Sequence, residues 1–91
     1  MNEGGYAVVW TSPAKRALTA LPEKAATAAV EFIYGSLSGN PHRAGKRLRF
    51  ELAGLYSARR GDYRVIYRLG SEARTIEIVT IEHRSDAYRT S

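Results

Sequence analysis

Between Arg43 and Arg68 the chain reads RAGKRLRFELAGLYSARRGDYRVIYR. This stretch holds eight basic residues (Arg43, Lys46, Arg47, Arg49, Arg59, Arg60, Arg64 and Arg68) against two acids, Glu51 and Asp62. The rest of the chain has six basic and seven acidic residues, so the formal charge of +5 belongs to this one segment. Tyr56, Tyr63 and Tyr67 are interleaved with the cations. Concentrated positive charge with aromatics between it suits a polyanion, and nucleic acid is the commonest one. Lys46, Arg47, Arg49, Arg60 and Arg68 are the residues expected to hold its backbone.

A second cluster, His83-Arg84-Ser85-Asp86-Ala87-Tyr88-Arg89, lies near the C-terminus. One helical turn from Arg84 to Tyr88 would set those two on the same side. A histidine, an arginine and a tyrosine near a basic sheet resemble the parts of a metal-free RNA cleavage site. Such a site takes a proton from a ribose 2′-hydroxyl, returns one to the leaving oxygen, and holds the phosphate with cations. Histidine is the easiest acid–base group near neutral pH. Other chemistries have less support. Ser12, Ser57 and Ser85 lie in no nucleophile elbow, and there is neither a phosphate loop nor a carboxylate cluster for Mg²⁺. Cysteine is absent, and His42 and His83 are too few and too far apart for zinc. No metal and no cofactor are expected.

The elements that must position these groups fit one small domain of 91 residues. Tyr6–Trp10 reads as a strand. Ser12 as N-cap with Pro13 behind it opens a helix whose Ala14, Ala17, Leu18 and Leu21 form one apolar stripe. Pro22 divides it from a longer helix carrying Ala26, Ala29, Val30, Ile33 and Leu37, stopped by Gly39 and Pro41. After a basic connector from Asn40 to Glu51, strands Leu55–Arg60 and Tyr63–Leu69 flank a Gly61-Asp62 hairpin turn. Thr75–Glu82 is a last strand. The order β-α-α-β-β-β predicts an α+β domain, a helical hairpin packed on one face of a mostly antiparallel sheet.

With Gly61 and Asp62 as the loop, Arg60 faces Tyr63, Arg59 faces Arg64, Ala58 faces Val65, Ser57 faces Ile66 and Tyr56 faces Tyr67. Alternation then gives a core side with Tyr56, Ala58, Val65 and Tyr67, and another side with Ser57, Arg59, Arg64 and Arg68. Arg59 against Arg64 is a like-charge pair, costing up to about 1 kcal/mol on the cross-strand scale, that a bound phosphate would reverse. The N-terminal stretch is neither a signal peptide nor a membrane span, so a cytoplasmic protein without membrane contact is expected.

The chain resembles the RelE/ParE toxins of bacterial type II toxin–antitoxin modules, and their RelE branch in particular. The resemblance rests on Leu21-Pro22-Glu23, Asn40-Pro41 and Gly45-Lys46-x-Leu48-Arg49. It rests most on the run from Leu52 through Gly54 and Ser57-Ala58-Arg59-Arg60-Gly61-Asp62-Tyr63-Arg64-Val65 to Tyr67, and on the closing His83-Arg84-x-x-x-Tyr88-Arg89. It implies a ribosome-dependent endonuclease that cuts messenger RNA in the A site, partnered by a RelB-like antitoxin from an adjacent gene. Operator DNA would be reached only through that complex. On the same resemblance, Arg59, Arg64 and Arg84 would hold the phosphate, His83 or Tyr88 would move protons, and Lys46 and Arg49 would grip ribosomal RNA. The family's paired lysines of the first hairpin strand are replaced here by Ser57 and Arg59. Two alternatives remain open on this fold: a ParE-like inhibitor of DNA gyrase, and a non-catalytic co-repressor.

Overall fold

β1 (Ala7–Trp10) runs into α1 (Ser12–Ala20) through Thr11 in the computed structural model, which describes residues 5–49, 54–70 and 74–83. Thr11, not Ser12, is the N-cap. Its backbone is extended, and its Oγ1 accepts from the Ala14 amide at 3.2 Å. The same hydroxyl lies 2.8 Å from the Ile78 carbonyl and 3.0 Å from that of Val79, donating to this pair of acceptors. Pro22 ends α1 as expected. α2 (Glu23–Phe32) follows and widens into a π turn over Ile33–Leu37. Ala29, Ile33 and Leu37 stay buried through that turn, so the apolar stripe survives the change of helical pitch.

Two elements inside the connector were not expected. Asn40 caps a single helical turn, α3 (Pro41–Ala44), its Oδ1 accepting from the Arg43 amide at 3.3 Å. β2 (Lys46–Arg47) then pairs antiparallel with β3 (Leu55–Arg60). β3 and β4 (Tyr63–Leu69) form the hairpin in the expected register, with Gly61 at φ +60°, a left-handed conformation that glycine adopts without steric cost. β5 (Thr75–His83) completes a five-stranded sheet in the order β1-β5-β4-β3-β2. Among the described residues, only the β1–β5 pair is parallel.

Helices α1 and α2 cover one face of this sheet. Ala14, Leu21, Ala29, Phe32, Ile33 and Leu37 meet Ala58, Val65, Tyr67, Ile76, Ile78 and Ile81 in a single core. Each aliphatic side chain as fully buried as Ile33, Leu37, Ile76 or Ile78 contributes roughly 1.5–3 kcal/mol over its exposed state. No helix among the described residues is long and apolar enough to cross a membrane.

β5 contains a bulge that matters for the site. Ile66 pairs with Thr80 but Tyr67 pairs with Ile78, so Val79 is the extra residue. A bulge resets the two-residue alternation of a strand. Ile76 and Ile78 before it and Ile81 after it therefore all face the helices. Glu77 and Glu82, five residues apart, both come to the opposite, outer face.

Candidate nucleic-acid interface

The registers arrange the outer face in rows running across the strands. Lys46, Ser57, Ile66 and Thr80 form one row. Arg59, Arg64 and Glu82 form the next. On the other side of the first row, Leu55, Arg68, Glu77 and Val9 form a third. Lys46, Arg59, Arg64 and Arg68 are exposed on this outer face. The hairpin therefore brings Arg59 and Arg64 together on this face, and β2 brings Lys46 beside them.

Each arginine of β4 has a carboxylate across from it on β5. Arg64 donates to Glu82 Oε1 from both Nε, at 3.1 Å, and Nη2. Arg68 Nη1 donates to Glu77 Oε1 at 2.9 Å. The Arg64–Glu82 pair is about half exposed, so its contribution to stability is at most about 1 kcal/mol. Glu82 offsets the like-charge opposition of Arg59 and Arg64 from one side only. Arg59 has no ion pair among the described residues.

Other cations go elsewhere. Arg60 follows Arg59 by one residue and so points to the helical face, where its guanidinium carbon stands 4.9 Å from the centroid of the Phe32 ring. Arg47 pairs with Tyr56 and belongs to that same side of the edge strand. Arg49 is exposed just beyond β2. Of the residues expected to grip a backbone, Lys46 and Arg68 share the outer face with Arg59 and Arg64, whereas Arg60 and Arg47 do not.

The tyrosines hold the fold. Tyr56 and Tyr67 stack at 5.4 Å between ring centroids, and His42 meets Tyr56 edge-on at 6.1 Å. Tyr67 is fully buried and donates its hydroxyl to the Pro41 carbonyl at 2.6 Å, which ties α3 to the sheet. Burial, and secondarily its neighbour Tyr56, pushes that hydroxyl up to about 12. The buried Tyr63 hydroxyl has no hydrogen-bond partner among the described residues, and burial raises its pKa above the ordinary tyrosine value, opposed by Arg60 and assisted by Glu31.

His83 pairs with Tyr63, which points into the core. The pleat thus assigns His83 to the helical face, across the sheet from Arg64. Arg84 and Tyr88 fall outside the described residues. The group that sequence reasoning missed is Glu82. Its signal was available only through the register, because alternation counted from Ile76 and Ile78 without the bulge puts Glu82 inside and His83 outside.

The chain is also similar to several known proteins. A family model described as the ParE toxin of the type II toxin–antitoxin system parDE matches residues 8–88. Toxin RelE of Mycobacterium tuberculosis is 54% identical over 84 residues, spanning 92% of this chain and 87% of that protein. Toxin RelG of the same organism is 50% identical over 84 residues, spanning 92% and 97%. Among solved structures, the RelBE2 toxin–antitoxin complex of Mycobacterium tuberculosis contains a similar chain. It superposes with a TM-score of 0.85 at 49% identity, over 88% of this chain and 99% of that one.

Proposed function

The chain belongs to the RelE/ParE family of toxins of type II toxin–antitoxin systems, and from that premise we propose that it is a ribosome-dependent mRNA endonuclease. One observation carries the reading: Arg59 and Arg64 oppose each other on the outer face, with Lys46 on the adjacent strand of the same face. A fold gains nothing from opposing two arginines there, but a phosphodiester bridging them turns a repulsion into two charge-assisted contacts.

On this reading the ribosome presents messenger RNA in its A site to the outer face. The 2′-hydroxyl attacks the adjacent phosphate, leaving a 2′,3′-cyclic phosphate and a 5′-hydroxyl. Arg59 and Arg64 hold the phosphate, and Arg49 contacts ribosomal RNA from the sheet edge. Arg84 is a third phosphate ligand and Tyr88 a stacking or proton-moving group. The protein acts in the cytoplasm, where translating ribosomes are. Its partner is a RelB-like antitoxin, supported by the similar chain's having been solved in a toxin–antitoxin complex. Recovery of an acidic small partner on affinity purification from the native operon checks that assignment.

Induced expression followed by primer extension on a translated message tests the activity. In-frame cuts that vanish with Arg64→Ala support it. Continued protein synthesis with no cuts refutes it. A gyrase inhibitor would instead block supercoiling by purified gyrase and leave the message whole, and a co-repressor would leave growth unchanged on expression of the parent.

A further inference from the structure

Proton transfer is the part of that reaction for which the outer face has so far supplied no group. Guanidinium groups rarely surrender a proton, and His83 lies on the other face by register. Two described side chains of the outer face flank the Arg59–Arg64 pair and have the required chemistry. Glu82 is held by Arg64 through Oε1 alone, and among the described residues Oε2 accepts no hydrogen bond. That contact uses the Nε–Nη2 edge of the guanidinium. The Nη1–Nη2 edge is left for a phosphate, because a guanidinium carries its five donors in a planar fork. On the other flank, Lys46 is exposed, cross-strand from Ser57 and one row from Arg59. β2 and β5 stand about 14 Å apart across β3 and β4, with the two arginines between them. A carboxylate can accept a proton from a ribose hydroxyl, and an ammonium can give one to a departing oxygen.

Taking the outer face as an RNA-cutting surface, we propose that Glu82 is the general base of the reaction and Lys46 its general acid. A phosphodiester sits on Arg59 and Arg64. The Glu82 carboxylate takes the 2′-hydroxyl proton as O2′ bonds to phosphorus. The P–O5′ bond breaks, and the Lys46 ammonium gives a proton to the departing O5′. The products are the 2′,3′-cyclic phosphate and the 5′-hydroxyl, with Glu82 protonated and Lys46 neutral. Water then restores both. This role replaces the ribosomal-RNA grip expected for Lys46 from its sequence neighbourhood.

Single-turnover cleavage on programmed ribosomes tests the assignment with three messages. One is ordinary RNA. One carries sulfur in place of the scissile O5′, a leaving group that needs no proton. One lacks the 2′-hydroxyl at the cut site and reports binding alone. Glu82→Gln should slow cleavage by about 10²–10⁴-fold on both cleavable messages while binding the deoxy message at least as tightly as the parent. Lys46→Ala should be slow on ordinary RNA and regain most of its rate on the sulfur message. Both variants should melt with the parent, since both side chains are exposed.

Several outcomes overturn the assignment. Glu82→Gln cutting within about threefold of the parent removes the base. Loss of deoxy-message binding in step with rate makes Glu82 a positioning residue for Arg64. A Lys46→Ala defect equal on both cleavable messages makes Lys46 a grip. A large defect in His83→Ala without one in Glu82→Gln returns the base to the histidine. A parent protein that cuts no message overturns both this assignment and the activity beneath it.

Discussion

The hydroxyl of Thr11 lies 3.0 Å from the carbonyl of Val79, the extra residue of the β5 bulge, while accepting from the Ala14 amide that opens α1. One side chain thus caps a helix and supplies a donor to the backbone where the strand changes phase. Thr11→Ala should cost about 1–2 kcal/mol of stability, measured by chemical denaturation. Thr11→Ser, which keeps the oxygen, should recover most of it. A Thr11→Ala protein as stable as the parent would mean the bulge holds itself.

Arg59 and Arg60 are neighbours in sequence on opposite sides of the sheet, and their substitutions should separate accordingly. Arg59→Ala and Arg64→Ala should each lower cleavage by about 10²–10³-fold. Their stability should stay within about 1 kcal/mol of the parent. Arg60→Ala, which loses the contact over Phe32, should lower stability by about 0.5–1 kcal/mol. Its cleavage rate should fall far less than that of Arg59→Ala. Comparable rate losses in Arg59→Ala and Arg60→Ala would contradict the division of faces.

Tyr67 predicts an alkaline limb. Its folded-state pKa of about 12 exceeds the ordinary 10.0. The stabilisation is therefore whole below pH 10 and is lost as pH climbs from 10 to 12, a loss of roughly 2–3 kcal/mol by linkage. Tyr67→Phe removes that slope and also the hydrogen bond to Pro41, at a cost near neutral pH of about 1–2 kcal/mol. Denaturation curves at pH steps across this range should be flatter in the variant, with Tyr63 retaining a smaller share of the slope.

Gly45 predicts a packing defect rather than a backbone one. A Cβ there would stand 2.4 Å from the Tyr67 hydroxyl oxygen and 2.8 Å from the Ser57 carbonyl oxygen. Gly45→Ala should cost about 1–3 kcal/mol. Because Ser57 is the cross-strand partner of Lys46, the variant should also push β2 from β3. Hydrogen exchange at the β2–β3 pair should accelerate before exchange in the β4–β5 pair does.

The hairpin was legible because a Gly-Asp turn between two alternating runs fixes a register, and each facing pair from Tyr56–Tyr67 to Arg60–Tyr63 follows from it. The helices were legible from their apolar spacing, apart from a one-residue error in the cap between Ser12 and Thr11. β2 was not, because two charged residues carry no alternation to read. The outer face was half legible for a sharper reason. Arg59 and Arg64 need only a turn, whereas Glu82 and His83 sit beyond a bulge that no local preference announces. A one-residue shift in phase exchanges the faces of everything after it, and here it puts Glu82 on the outer face and His83 on the helical one.

The parallel pairing of β1 with β5 has a consequence in time. Ala7 meets Thr75 and Trp10 meets Ile78, so the sheet joins the earliest described strand to the latest one. β5 is also flanked by β4, which leaves β1 without any sheet partner until β5 has been made. Helices and the β3–β4 hairpin can form locally during synthesis, but contacts of such long sequence separation form late and slowly. The face carrying Arg59, Arg64 and Glu82 is consequently assembled only after β5 has emerged, and a nascent chain spends most of its synthesis unarmed.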